Sequence, residues 1–263
     1  MNILDKIVVR KREEVALSKT QVSVRELKAA VNFDRETYSF KKFLLDEKRS
    51  GIIAEFKRRS PSKGIINDTS TVEEVTQGYA AAGASALSVL TDADFFGGHK
   101  EDILKARAVN EIPILRKDFI VDEYQIYEAK AMGADIVLLI AGILNPAEIK
   151  SMVALAKSLG LNVLLEVHNL AELERSICMG LDAVGINNRN LEDFSVNIQT
   201  SFDLVDQIPN DFLKISESAI SNTAIIKELK TAGFNGFLIG ENFMKTADPG
   251  AAMDQFVREL ISV

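Results

Sequence analysis

The sequence predicts an α/β protein, a (β/α)8 barrel of the TIM type with an N-terminal helical extension. Three observations lead there. First, short apolar runs end one after another in a polar or ionisable residue or a glycine. Gly51–Phe56 delivers Glu55 and Lys57, Ile112–Arg116 delivers Lys117, and Asn162–Val167 delivers Glu166. Ala183–Ile186 delivers Asn187, Phe212–Ser216 delivers Glu217 and Ser218, and Gly236–Ile239 closes on Gly240. Runs of this length without polar alternation suit parallel strands buried on both faces. Second, a phrase centred on glycine recurs at Gly83, Gly133, Gly160, Gly180 and Gly233, each time before a short apolar run. It reads as a helix stopping on a left-handed glycine, and the spacing is one or two multiples of about 25 residues, one βα unit. Third, eight such units in about 210 residues match the usual size of a closed barrel.

Taken in order, residues 1–48 form an extension of the barrel rather than a separate domain, because no long linker follows them. Ile3, Leu4, Ile7, Val8 and Val15 fall at helical spacing within Ile3–Leu17, and Val24–Val31 reads as a second short helix. Both are expected to pack outside the barrel, over its bottom or rim, with residues 49–263 forming the barrel. Strands are expected at 51–56, 86–91, 112–116, 135–140, 162–167, 183–187, 212–216 and 236–240. Helices are expected near 71–82, 100–109, 123–132, 146–158, 170–179, 199–207, 222–232 and 250–261. Asp122, Asn145 and Asn169 stand where side-chain N-caps belong, as does Ser221 or Asn222 before the seventh helix. An open doubly wound sheet would carry a glycine-rich dinucleotide loop after its first strand. Here that loop reads Arg58-Arg59-Ser60-Pro61-Ser62-Lys63-Gly64.

Composition narrows the function. The chain has 263 residues, 47% hydrophobic and 26% charged, an ordinary globular balance. A net charge of −7 argues against a nucleic-acid partner, which needs a basic surface, but leaves room for a small anionic substrate. The single cysteine, Cys178, excludes an internal disulfide and fits a reducing compartment. With His99 and His168 as the only histidines, a zinc site is poorly supplied, and no magnesium motif is present. No apolar stretch is long enough to span a membrane, and Met1–Arg12 lacks the apolar core of a signal peptide. The expectation is a cytoplasmic monomer acting on a small molecule without metal or cofactor.

In a barrel of parallel strands the reactive groups gather at the carboxyl ends, so Lys57, Lys117, Glu55, Glu166 and Glu217 would converge on one mouth. Glu55 and Lys57, two apart on a strand, admit a rim salt bridge or a reactive pair. The Ser-Pro-Ser-Lys-Gly after them suits a loop closing over an anion. Lys117 is a surface cation or a tuned acid, and strand alternation sends Asp118 to the opposite side. Glu166 after Val163-Leu164-Leu165 needs a partner if buried. His168, alone at a loop start, reads as structural or exposed. Asn187-Asn188-Arg189-Asn190-Leu191 is a polar turn or a ligand-facing one. The ends of the seventh and eighth strands are where such barrels bind phosphate, and Glu241–Met244 would supply a short helix there.

These segments also resemble the indole-3-glycerol phosphate synthase family. The likeness runs through Glu55–Gly64 (EFKRRSPSKG), Ser88–Gly98 (SVLTDADFFGG), Leu115–Phe119 (LRKDF), Leu164–His168 (LLEVH), Gly185–Leu191 (GINNRNL), Ser216–Ser218 (SES) and Phe237–Met244 (FLIGENFM), in the family's order. It implies a carboxy-lyase of tryptophan biosynthesis that acts on a phosphorylated, anthranilate-derived substrate. It implies Lys117 as general acid, Glu166 as general base, Lys57 with Glu55 assisting dehydration, and Asn187 and Glu217 as positioning groups. Ser60, Phe96, Phe119, Leu138, Arg189, Leu191 and Leu238 would line the anthranilate side and the lid, and Ser218, Ala219, Gly240 and Glu241 the phosphate side. Ala219 stands where the family usually has glycine, so its backbone is expected to avoid a glycine-only conformation. Glu241 is expected to turn its carboxylate away from phosphate. Against this stand phosphoribosylanthranilate isomerase, which would want a cysteine at the first strand's end, a Schiff-base aldolase, and a barrel that only binds a phosphorylated metabolite.

Overall fold

The computed structural model describes residues 3–190 and 194–262. Eight parallel strands close into a barrel: β1 (Ile52–Phe56), β2 (Ala86–Leu90), β3 (Ile114–Lys117), β4 (Ile136–Ile140), β5 (Asn162–Val167), β6 (Ala183–Asn187), β7 (Leu213–Glu217) and β8 (Gly236–Ile239). Each strand pairs with its sequence neighbour, and β1 closes the ring on β8 with Ile53 opposite Leu238. Period-two alternation then divides every strand between two apolar environments. Ile52, Ala54 and Phe56 face the surrounding helices with Leu87, Val89, Val163 and Leu165. Ile53, Ala86, Leu115, Leu138, Leu164 and Leu238 fill the interior. Both faces are buried, which is why the strands read as unbroken apolar runs.

The helices fall largely where their caps predict. Asn145 accepts hydrogen bonds from the backbone of Ala147 and Glu148, Asn169 from Glu172, and Asn222 from Ile225. Asp122 accepts from the Tyr124 backbone at 2.9 Å, but the helix Tyr124–Met132 starts one residue later, with Glu123 at its N-cap. All five phrase glycines have positive φ, from 74° at Gly160 to 105° at Gly233. Three boundaries shift for physical reasons. β3 starts at Ile114 rather than 112, after Pro113, which has no N–H for the ladder. The helix expected to 179 ends at Ser176, because Ile177 is extended. The helix expected to 207 is α-helical over Gln199–Leu204 and tightens into a 3₁₀ turn at Val205–Gln207.

The extension covers both ends of the barrel. Helix α1 (Ile3–Gln21) lies along the carboxyl rim. Its Lys11, only 1% exposed, places Nζ 3.0 Å from Asp92 and 3.0 Å from Asp118. Helix α2 (Val24–Lys28) is shorter than expected and opens on a Ser23–Glu26 capping box. A third helix not foreseen, α3 (Phe40–Leu44), closes the bottom with Phe40 and Leu44 buried against the interior core. Asp135 fixes this end: one oxygen receives Arg35 and the Tyr38 backbone, the other Arg107 and the Ile114 backbone, all at 2.7–2.8 Å. Asp135→Ala would strand two guanidinium groups, one nearly buried. The expected loss is about 3–5 kcal/mol of unfolding free energy in a denaturant titration. A change below about 1 kcal/mol would show that the extension does not depend on this carboxylate.

Candidate active site

The inward rows of the barrel continue upward from apolar to charged. Ile53 is followed by Glu55, Leu115 by Lys117, Leu164 by Glu166, and Ile215 by Glu217. The register sets Asn187 level with Glu217, and Glu166 beside Ile140. The polar residues therefore form the top layer of the barrel interior rather than a loop cluster. Lys117 Nζ donates to Glu166 Oε2 at 2.9 Å and lies 3.8 Å from Glu217 Oε2. Lys57 Nζ donates to Glu55 Oε1 at 2.7 Å. Asn187 Nδ2 donates to Glu166 Oε1 at 3.2 Å, and Ser218 Oγ donates to Asn187 Oδ1 at 2.9 Å. Asp118 points outward into a separate buried cluster with Arg116, Thr91 and Lys11. The alternation argument for Lys117 and Asp118 therefore holds.

Two glycines make room for the carboxylates. A Cβ on Gly185 would stand 2.2 Å from Glu217 Oε1, and one on Gly240 would stand 2.7 Å from Glu55 Oε1. Gly240 is thus more than a turn residue. It lets Glu55 lie flat against β8.

Three buried carboxylates share two lysines, and they ionise unequally. Burial pushes Glu217 up to about 8, helped by the charges of Glu166 and Glu55 and opposed by Lys117. Its Oε1 has no hydrogen-bond partner among the described residues, which costs less for a neutral carboxyl than for an ion. Glu166 goes the other way: burial would raise it, but Lys117 and His168 outweigh that and hold it well below the usual range. Burial works against the Lys117 charge as well, yet Glu166 above all, with Glu55 behind it, keeps it an ammonium.

Two joined cavities open above this layer. The inner one is lined by Glu55, Lys57, Ser60, Lys117, Glu166, Asn187, Glu217 and Ser218, with Phe96, Phe119, Leu138 and Leu238 as its apolar wall. The Phe96 and Phe119 ring centroids are 5.9 Å apart. The outer one is lined by Ser218, Ala219, Gly240, Glu241, Lys63 and Arg189. The loop after β1 folds as a small hairpin, Arg59–Ser60 against Gly64–Ile65, and is tied to the Phe96 loop by Arg58 on Gly97 and Arg59 on Ala93.

Every site residue that the family likeness implies, except Leu191, borders one of these cavities, whereas His168 borders a neighbouring recess. Leu191 lies outside the described residues. Two expectations are corrected. Ala219 has φ +62° and Ser218 φ +67°, so residue 219 does take the left-handed conformation, which an L-residue adopts at about 1–2 kcal/mol. Glu241 does not turn away from the outer cavity. Its carboxylate crosses the mouth, 3.6 Å from Lys63 and 3.7 Å from Arg189, because two cations flank it. Sequence reasoning missed Ser88, whose Oγ reaches Glu55 at 3.4 Å, and the setting of His168 between Glu166 and Glu172. The signal for His168 was its place just past the end of the β5 run, two residues after Glu166.

A closed barrel of eight parallel strands with its lysines and carboxylates gathered at the strand carboxyl ends has the layout of a (β/α)8 enzyme. A sequence profile described as indole-3-glycerol phosphate synthase matches residues 4–259, and the chain belongs to that family. It is 49% identical over 259 residues to the indole-3-glycerol phosphate synthase of Bacteroides thetaiotaomicron, covering 98% of this chain and 99% of that one. It is 44% identical over 257 residues to that of a Polaromonas species, covering 97% of each. Among solved structures, the tryptophan synthase α-subunit of Pyrococcus furiosus superposes with a TM-score of 0.61 at 15% identity, over 82% of this chain and 99% of that one, a likeness of fold.

The raised Glu217 has a consequence for stability. A carboxyl whose folded value is about 8, against an ordinary 4.5, holds a proton in the folded state that the unfolded chain gives up. Its contribution is complete below about 4.5 and is lost as pH rises toward 8. Denaturant titrations should show stability falling between pH 5 and 8, and Glu217→Gln should flatten that fall. An unchanged slope in the variant would mean that Glu217 is ionised throughout.

Proposed function

We propose that this chain converts 1-(2-carboxyphenylamino)-1-deoxyribulose 5-phosphate to indole-3-glycerol phosphate, carbon dioxide and water, in tryptophan biosynthesis. The observation that carries the reading is the Lys117 ammonium, held between Glu166 and Glu217 in the cavity that Phe96 and Phe119 also line. The aryl carbon bearing the carboxylate attacks the ketone carbon, and the ketone oxygen takes its proton from Lys117. An ammonium fixed there also offsets the negative charge developing on that oxygen. Carbon dioxide then leaves, and its electron pair restores the aromatic ring. Glu166 removes a proton as the new hydroxyl departs as water, with Lys57 as the donor and Glu55 holding Lys57. Asn187 orients Glu166, and Glu217, protonated near neutrality, limits the negative charge of a cluster that must admit an anion.

Phe96, Phe119, Leu138 and Leu238 shield the aryl ring, with Ser60 and Arg189 beside them. Shielding from water favours loss of the carboxylate. The phosphate enters the outer cavity beside Ser218, Ala219, Gly240 and Glu241, where Lys63 and Arg189 supply positive charge. None of these steps calls for a metal or an organic cofactor. Among the described residues no helix is long and apolar enough to cross a membrane. The net acidity disfavours nucleic acid. We further propose that the enzyme works in the cytoplasm as a monomer on a small substrate.

The test is the rise of indole fluorescence when purified protein meets that substrate. Lys117→Met should lower kcat by about 10²-fold or more while a product analogue still binds. Near-normal kcat with a raised KM would make Lys117 a binding cation and pass the acid role to Lys57.

The outer cavity gives a separate expectation. Inorganic phosphate should compete with substrate, and Glu241→Ser should strengthen that competition about threefold to tenfold, because Lys63 and Arg189 lose a carboxylate partner. Weaker competition in the variant would put Glu241 on the side of the ligand. Ala219→Gly should leave KM within a few fold, since it relieves the backbone without removing an N–H.

A further inference from the structure

Beside the proposed base, and unused by the steps above, lies a buried histidine with a carboxylate on each side. His168 stands one residue past the end of β5, and its ring returns to the Glu166 carboxylate at that strand end. Its Nδ1 hydrogen-bonds Glu172 Oε2 at 3.1 Å, while its Nε2, buried and without a hydrogen bond among the described residues, lies 3.4 Å from Glu166 Oε1, within ion-pair range. The ring side chain is 14% exposed and that of Glu166 only 2%. A neutral imidazole donates from one nitrogen and presents a lone pair at the other, which would face a carboxylate here. Only the doubly protonated ring suits both neighbours. Glu172 is itself fixed, receiving the His168 backbone N–H at 2.8 Å and Asn169 Nδ2 at 3.2 Å in the first turn of the helix Leu170–Ser176. No group of three or more His, Cys, Asp or Glu among the described residues is placed to hold a metal ion, so a ligand role does not account for the arrangement.

We propose that His168 is a positioning residue, a fixed imidazolium that holds Glu166 ionised and oriented, with Glu172 as the carboxylate that keeps the ring charged. The proposal rests on the roles given above to Glu166 and Lys117. It supplies something Lys117 cannot. Once Lys117 has passed its proton to the ketone, Glu166 loses that positive neighbour at the point where it must accept a proton. His168 takes no part in that transfer and keeps its charge. The other charged groups around the ring are consistent with this. Lys117 lies on the far side of Glu166, Arg175 adds positive charge near Glu172, and Asp5 and Arg189 border the same polar recess. The raised proton affinity of His168, pushed up to about 10 as Glu166 and Glu172 outweigh burial, agrees with the geometry.

The chain has two histidines, so nitrogen-15 spectra of the imidazoles are assigned with one variant, His99→Gln. In the wild-type protein without substrate, His168 should remain doubly protonated at pH 8, and Glu172→Gln should bring its titration down toward the ordinary histidine range. A neutral ring at pH 8 in the wild type overturns the proposal, whatever the fate of the proposed reaction. In the fluorescence assay, His168→Gln should lower kcat about tenfold or more with KM changed less than about threefold. Glu172→Gln should act in the same direction and add little in the His168→Gln background. Losses that multiply, or that appear only in KM, overturn it. Should the wild-type protein fail to turn over the substrate at all, the proposed function falls while the spectra still decide the state of His168.

Discussion

The site depends on one electrostatic constraint. Three carboxylates are buried in the same barrel mouth, and burial opposes the charge on each. Lys117 is close enough to neutralise Glu166 directly, yet stands 3.8 Å from Glu217. The cluster therefore settles with Glu166 ionised, Lys117 charged and Glu217 protonated near neutrality. Two carboxyls of the same residue type, Glu166 and Glu217, are thus driven in opposite directions by their surroundings.

The barrel makes this arrangement possible by alternation. Below the charged layer Ile53, Ala86, Leu115, Leu138, Leu164, Ala183 and Ile215 point inward, so the carboxylates rest on an apolar floor. Glycine at 185 and 240 removes the side chains that would collide with Glu217 and Glu55. On the outer face the same strand end carries Arg116 and Asp118 into a second ion cluster that reaches Lys11 of α1. Helix α1 is thus held to Asp118, which stands between Lys117 and Phe119. Asp92, the other partner of Lys11, also receives the backbone N–H groups of Phe95 and Phe96. The extension is joined to the aromatic wall of the site through two buried carboxylates.

Much of this was legible in the sequence because strand ends follow from local pattern. The eight apolar runs, the glycine stops and the caps at Asn145, Asn169 and Asn222 depend on neighbours within a few residues, and they appear where expected. The site residues at strand ends followed from the same pattern joined to the family likeness. What stayed hidden depends on contacts across the chain. Helix α3 has five residues and owes its place to packing under β7 and β8. One partner of His168, Glu172, sits on the next helix, and two partners of Lys11, Asp92 and Asp118, lie more than 80 residues away. Glu241 turned toward the mouth because Lys63 and Arg189 arrive there from two other loops, which no local reading reveals.

The central claim is that one carboxyl of the mouth, that of Glu217, is protonated at neutral pH. Infrared difference spectroscopy of the substrate-free protein reads it directly, through the carbonyl stretch of a protonated carboxyl in isotope-labelled glutamate. This band should be present at pH 7, persist in Glu55→Gln and disappear in Glu217→Gln. A spectrum at pH 7 with no protonated glutamate, or a band that survives the loss of Glu217, would contradict it.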